Sequence, residues 1–328
     1  MKKVIGTIVI SALAVITGGA IIVMNKNTEK LVGNVAFEKI DTKNKDVIYF
    51  LNTGSSDAIV LQSQGHFAMV DAGEDNDNPR GLPELEYIGY EQEILEFLRK
   101  NTADENGRIH LDFVLGTHSH SDHIGGFDTI INDDNVFIDK AYLKEYHSES
   151  IIDKEINEWD NQEVYDQMVE ALNKKSVPII SDISSEPFQF GNFIITILNT
   201  EYEDGSRKVG ENDNSLVVLV EKNGQRALLT GDLDNCSGDE ERIAELVGVV
   251  DLLKVGHHSY SRSTEKKFLK CVSPKVSVIT NSYKHADKKT LRRIAKYTDS
   301  SIILSDDEGG IGAVFADNKI KYTNNIGL

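Results

Sequence analysis

Cysteine and positive charge are the two things this chain has little of. Its 328 residues hold two cysteines, Cys236 and Cys271, with neither metal-like spacing nor a partner set, which excludes a disulfide-stapled fold and a thiolate metal cluster. Lysine and arginine number 35 against 53 aspartates and glutamates, a formal net charge of −18. A surface so acidic repels a long polyanion, because nucleic-acid binding needs cations to displace counterions. The densest basic stretch, Lys288-Lys289-Thr290-Leu291-Arg292-Arg293, reads as one face of a solvated helix.

Long apolar runs are also missing, except at the start. Lys2 and Lys3 precede an uncharged, mostly apolar stretch over residues 4–24, and the next charge is Lys26. That length spans a bilayer as a helix, and the leading lysines favour an inside N-terminus. Residues 1–30 are therefore expected to be a membrane anchor or a signal segment, with the uncleaved anchor preferred because the exit near Gly18-Gly19-Ala20 is a poor cleavage site. Either way the remainder, residues 35–328, is placed outside the cytoplasm, on a single-pass membrane protein or secreted if the segment is removed.

Of the nine histidines, three fall in one loop, His118-Ser119-His120-Ser121-Asp122-His123, directly after the strand-like run Leu111–Gly116. Imidazole is the commonest metal ligand, and a carboxylate among histidines suits a Lewis-acidic divalent ion. His118 and His120, two apart, point to one side of an extended segment, while Asp122 and His123 turn toward a second position. One loop thus offers two pairs of ligands, enough to seed a site for two ions.

From Asp46 onward, β-branched runs alternate with turns and amphipathic helices, the pattern of a layered α/β domain. Strands are expected at 47–52, 57–63, 66–71, 111–116, 193–198, 215–221, 226–230, 250–255 and 276–280, and helices at 91–100 and 239–247. The two halves match in order. The hairpin Asp57–Asp71, turning at Gly65, parallels Leu216–Thr230, turning at Gly224, and Leu111–His118 parallels Val250–His257. Such a duplication would set His257 across a shared edge from His118. Residues 139–176 interrupt the scheme as a polar, helical insertion. Its Trp159, Tyr142, Tyr146 and Tyr165 are candidates for a substrate pocket, although helix packing is the commoner use of such residues. Residues 286–328 are expected to finish the second sheet and add a helix.

Two-metal chemistry also needs a shared carboxylate and further ligands. Asp232 follows an apolar strand and a glycine in Leu228–Leu233, and His257 and His258 follow the strand ending at Gly256. The ordered set Asp71-Ala72-Gly73, Thr117–His123, Gly231-Asp232-Leu233 and Gly256-His257-His258 resembles the metallo-β-lactamase fold of metal-dependent hydrolases, over roughly residues 46–285. The similarity is strongest toward the hydrolase domain of ComEC-type DNA-uptake proteins and toward surface phosphorylcholine esterases, which also carry Asn-x-Ser-Leu-Val (here Asn212–Val217) before the Gly-Asp strand. The resemblance implies a four-layer αββα sandwich with an internal pseudo-two-fold repeat and a site at the shared edge of its two sheets. It further implies that His118 and His120 hold a first ion, that Asp122 and His123 hold a second, and that Asp232 bridges them. His257 would complete the second site, with His258 as its alternative, and Asp71 would orient a ligand from behind. One departure stands out: many members place a third histidine on the first ion, and this chain has none between His147 and His257.

The expectation is therefore an extracytoplasmic hydrolase using two divalent ions, Zn2+ first and Mn2+ second, to present a bridging hydroxide to a phosphodiester. Asp122 would orient the nucleophile. His258, Asn214, Ser259 or Tyr260 would serve the leaving group. The partner is a small molecule or an envelope polymer, choline-bearing polymers included, since aromatic side chains can cage a quaternary ammonium. A nuclease of the DNA-uptake type is the alternative within enzymes. A metal-stabilised surface binding protein without turnover is the alternative outside them.

Overall fold

Every residue of Val47-Ile48-Tyr49-Phe50 is buried, and alternate side chains go to different cores. Val47 and Tyr49 meet helices, whereas Ile48 and Phe50 meet a second sheet, as the two-residue period of a strand covered on both faces requires. The computed structural model describes residues 32–33, 35–201, 208–236 and 238–327. The apolar stretch 4–24, and with it the expected anchor, lies outside them. Among the described residues no helix is long and apolar enough to cross a membrane.

The strands, numbered along the chain, form two large sheets. One runs β17 (Ile320–Thr323), β16 (Ile311–Phe315), β1 (Val47–Phe50), β2 (Ala58–Ser63), β3 (His66–Ala72), β5 (Phe113–Leu115), β7 (Ala141–Tyr142) and β8 (Ile179–Ile180). The other runs β15 (Ser301–Leu304), β14 (Val276–Ile279), β13 (Leu252–Lys254), β12 (Gln225–Leu229), β11 (Val217–Lys222), β10 (Phe193–Leu198) and β9 (Phe188–Phe190). A short parallel pair, β4 (Ile109–Leu111) and β6 (Val136–Ile138), stands apart. The sheets face each other through Phe50, Leu61, Phe113, Phe193, Val220 and Leu229, all at most 1% exposed. The outer face of the first sheet is covered by α1 (Glu91–Asn101), α2 (Phe127–Asn132) and α4 (Asn161–Lys174), with α3 (Asp153–Glu158) preceding α4. That of the second is covered by α5 (Asp239–Val247), α6 (Lys266–Val272) and α7 (Lys288–Tyr297). This is the four-layer αββα sandwich.

The repeat read from the sequence has a structural counterpart. The β2–β3 hairpin turns at Gln64-Gly65 and the β11–β12 hairpin at Asn223-Gly224, both residues of each turn having positive φ. Two left-handed residues make the turn whose twist matches the flanking strands. Each hairpin then continues into a parallel neighbour, β3 into β5 and β12 into β13. Chains leaving β3, β5, β12 and β13 thus emerge at one shared edge.

Two expectations need correction. Residues 139–176 are not wholly helical, because Ala141-Tyr142 first add a strand to the first sheet beside β5. Residues 286–328 do not all finish the second sheet. Only β15 does so, while β16 and β17 return to the first sheet and pair with β1. That return covers an edge β1 would otherwise leave open, and it buries Ile311, Ala313 and Phe315 between the sheets.

Candidate metal centre

The histidine loop leaves β5 through Gly116, where a Cβ would come within 2.7 Å of Ile124 and 2.9 Å of Leu143. It then enters a single π-helical turn, Ser121–Gly125, that leads into α2. Such turns recur at functional sites because they re-aim side chains within a helix. The loop is anchored from β3 by Asp71, which sits in the left-handed region with φ 57°. The Asp71 carboxylate accepts the Thr117 N–H at 2.7 Å and the Thr117 hydroxyl at 2.7 Å, and it faces His123 Nδ1 at 2.8 Å. With Nδ1 directed at Asp71, His123 turns Nε2 inward, and a bound cation would take that nitrogen's lone pair.

Around that nitrogen the other donors converge. His123 Nε2 lies 3.1 Å from His258 Nε2, 3.2 Å from Asp232 Oδ1 and 4.0 Å from Asp122 Oδ1. His258 Nε2 is 3.3 Å from Asp232 Oδ2 and 3.4 Å from Asp122 Oδ2. One ligand atom from each of Asp122, His123, Asp232 and His258 falls within 4.8 Å of all the others. Four ligands placed tetrahedrally about 2.0–2.1 Å from one ion are about 3.4 Å apart, so this set fits a divalent cation.

A second pair lies beside it. His118 Nε2 and His120 Nδ1 are 2.9 Å apart, and the His118 and His123 rings are 4.1 Å centre to centre. The outer nitrogens of the pair are already engaged: His118 Nδ1 with Thr117 Oγ1 at 3.1 Å and Ser215 Oγ at 3.3 Å, His120 Nε2 with Glu155 Oε2 at 3.5 Å. Two imidazole lone pairs meeting at this distance suit a shared ion at roughly a right angle, given metal–nitrogen bonds of about 2.0–2.1 Å.

The carboxylates at this edge favour positive charge on the imidazoles beside them. Burial lowers His123, but Asp232, Asp71 and Asp122 overcome it and hold the imidazole well above its ordinary value. Burial likewise opposes the shift of His258, which Asp232 and Asp57 raise to about 9. Burial would raise Asp122, yet His123 and His258 bring it down to about 2. Asp232, despite burial, is held well below the carboxylate range by His123, His258 and Lys254. His118 goes the other way, pushed well below its usual value by burial and by His123 and His120. Protons crowd onto His123 and His258, where a cation would otherwise balance the carboxylates.

The expected site residues are therefore placed as follows. His118, His120, Asp122, His123 and Asp232 come together at one edge. Of the two adjacent histidines, His258 enters the four-donor cluster, whereas His257 Nε2 stays 3.9 Å from Asp232 and faces a cavity. The expectation of His257 in the second site is thus not what the geometry favours. His257, His258 and Ser259 have φ of 51°, 45° and 75°. Three successive left-handed residues re-aim the chain, so the strand period used to match His257 with His118 stops applying at Gly256. The Asn214 amide is turned to Glu211 Oε2 at 2.9 Å and does not line the cavity, and the Ser259 hydroxyl accepts the Asp287 N–H at 3.1 Å. Tyr260 does line it, with its hydroxyl 3.1 Å from Ser55 Oγ. Of the insertion aromatics, Trp159 lines the cavity and packs against His120, whereas Tyr142 packs on Phe113 and Tyr146 on Tyr165.

Other buried charged residues at this edge carry little signal in the sequence. Lys254 is fully buried, ion-paired with Asp57 and 3.4 Å from Asp232 Oδ1, and it donates to Gly231 O at 2.8 Å. Asp57 accepts the Thr280 hydroxyl at 2.6 Å, and Thr280 Oγ1 meets His258 Nδ1 at 3.0 Å. Glu155 and Glu211, both nearly buried, stand behind the first histidine pair. A lysine inside the apolar strand β13 was the one visible signal.

The cavity in front of the donors has a volume of about 520 Å³. Its walls include Tyr87, Tyr90, Trp159 and Tyr260 with Glu74, Glu86 and Asp160, and among the described residues no lysine or arginine. A larger cavity, about 700 Å³, lies at the far end of β3 around Phe67, Arg108 and Val136, away from every ligand candidate.

Residues 69–267 match the family model of the beta-lactamase superfamily domain. The chain is 26% identical over 225 residues to ComE operon protein 3 of Bacillus subtilis, covering 66% of this chain and 25% of that protein. It is 33% identical over 91 residues to Recombination protein 2 of Haemophilus influenzae, covering 26% of this chain and 11% of that one. The chain thus spans a quarter or less of these curated relatives. Among solved structures, the metallo-beta-lactamase fold protein YhfI from Bacillus subtilis aligns over 82% of this chain and 100% of its own, at 13% identity and a TM-score of 0.49.

Proposed function

The chain belongs to the beta-lactamase superfamily, and on that premise we propose that it is a two-metal phosphodiesterase acting outside the cytoplasm. The convergence of Asp122, His123, Asp232 and His258 carries the reading. In it, these four residues would hold one ion, and His118 and His120 together with Asp232 would hold the other, with Zn2+ the first choice and Mn2+ the second. Such ions, when bound, make a water nucleophilic at neutral pH and offset charge on phosphoryl oxygens.

The rest belongs to the side chains. Asp71 holds the Nδ1 proton of His123, and Glu155 stands at Nε2 of His120, so each ring keeps its other lone pair for a ligand role. Lys254 lies between Asp57 and Asp232 and offsets negative charge that would otherwise be buried with the donors. Asp122, the most exposed of the four, opens on the cavity and can orient an attacking water. His257 and the Tyr260 hydroxyl also face the cavity and can donate a hydrogen bond to a leaving oxygen.

The cavity walls narrow the substrate. Aromatic faces with carboxylates, and among the described residues no lysine or arginine, favour a phosphodiester whose leaving group is neutral or cationic, such as a choline-bearing envelope polymer. A nuclease is the second reading, favoured by the similarity to Recombination protein 2 and ComE operon protein 3. The acidic cavity and the net charge of −18 weigh against it. Residues 4–24 would supply the membrane tether.

The test is metal content by elemental analysis together with hydrolysis of bis-p-nitrophenyl phosphate, for the full chain and Asp232→Ala. Two ions per chain and turnover abolished by the substitution are expected. A protein that carries no ion after preparation with excess metal would end the proposal in favour of a surface binding protein.

A further inference from the structure

Among the described residues the four-donor cluster joins Asp122, His123, Asp232 and His258, whereas the pair beside it offers the two imidazoles of His118 and His120. The segment that would carry a third histidine is instead the short turn Glu211–Asn214 leading into β11. It lies along the histidine loop. Glu211 Oε1 accepts the Ser119 N–H at 3.0 Å, Ser215 Oγ is 3.3 Å from His118 Nδ1, and the Leu216 N–H donates to Thr117 O at 2.8 Å. These contacts bracket Asn212.

Asn212 is only 8% exposed, and its Oδ1 has no hydrogen-bond partner. Its Nδ2 is 3.5 and 3.4 Å from the two ring nitrogens of His257, whose Nε2 lies 3.9 Å from Asp232 Oδ2. Near-equal distances mean that the amide packs against the ring instead of bonding to one nitrogen. The side chain thus packs on the His257 ring, while its neighbours Glu211, Ser215 and Leu216 fasten the turn to the His118–His120 loop. A buried amide oxygen left without a donor is costly, and native structures avoid it unless a water or an ion supplies the missing charge.

We propose that Asn212 Oδ1 is the third protein ligand of the first ion, alongside His118 Nε2, His120 Nδ1 and an oxygen of Asp232. The inference rests on the two-ion reading above. It also sets the two ions apart. A neutral amide oxygen is a weaker donor than the carboxylate or imidazole it stands in for, so the first ion binds more weakly than the second, which has Asp122 to itself.

The full chain, stripped with a chelator, is titrated with Zn2+ against a chromogenic competitor, with Asn212→Ala, Asn212→Asp and His257→Ala beside it. The wild type should bind two equivalents of unequal affinity. Asn212→Ala should weaken the looser equivalent about tenfold or more and leave the tighter one unchanged. The nearly isosteric Asn212→Asp, which keeps the assignment testable if the alanine variant misfolds, should tighten the looser equivalent. His257→Ala should leave both in place. Two wild-type-like equivalents in both Asn212 variants would overturn the assignment and leave the two-ion reading standing. Loss of the looser equivalent in His257→Ala but not in Asn212→Ala would overturn it in favour of His257. No Zn2+ on the wild type would remove the two-ion reading itself.

Discussion

Asp71→Asn isolates the orienting role of a carboxylate with little disturbance of shape. Asparagine is among the few residues at ease in the left-handed region, so the φ of 57° at this position is kept without new strain. Its amide oxygen can still accept the Thr117 N–H that Asp71 takes at 2.7 Å, and the Thr117 hydroxyl can reverse its proton. What cannot survive is the 2.8 Å contact with His123, because an amide N–H has replaced the acceptor facing Nδ1. His123 must then move its proton to Nε2, the atom that lies 3.1–3.2 Å from His258 and Asp232. Loss of such an orienting partner typically costs about 10–100-fold in metal affinity, or about 1.4–2.7 kcal/mol. Zn2+ competition titrations of wild type and variant would read the loss in the equivalent assigned to the second site. Asp112→Asn, which disturbs the exposed His66 pair in the same formal way, serves as the control and should bind like wild type. An Asp71→Asn protein with both affinities unchanged would refute the argument that Asp71 sets the tautomer of His123.

Two further predictions concern charge in the interior. Lys254→Met should destabilise the metal-free protein by about 3–5 kcal/mol in urea unfolding, because it leaves Asp57 and Asp232 buried without their cation; a loss below about 1 kcal/mol would mean that water or a proton replaces the lysine at little cost. Burial first, then Asp77 and Glu91, push the Asp75 carboxyl up to about 8 from an ordinary 3.8. The folded protein therefore keeps a proton that the unfolded chain releases near pH 4, and this residue's contribution to stability falls as pH rises from about 4 to about 8. Asp75→Asn should flatten the pH dependence of the urea midpoint over that window, and an unchanged slope would dismiss Asp75 as its source.

Local pattern was enough for much of this protein. The strand alternation around Val47 and the glycine turns at Gly65 and Gly224 are encoded within a few residues, as is the loop His118–His123, because backbone geometry and side-chain period act over that range. Asp232 was legible for the same reason, sitting after a glycine at a strand end. What tertiary structure decided are the pairings between distant segments. His258 rather than His257 enters the four-donor cluster because three left-handed residues break the strand period at that point, which a pattern of alternation cannot foresee. Lys254, Asp57 and Glu155 look like ordinary charges in the chain and become part of the centre only when the edges of two sheets and an inserted helix meet. Likewise β16 could have joined either sheet on hydrophobicity alone, and the open edge of β1 settled which. Candidate donor types and their spacing are written in short stretches of chain, whereas the partners that orient and neutralise them are chosen by packing.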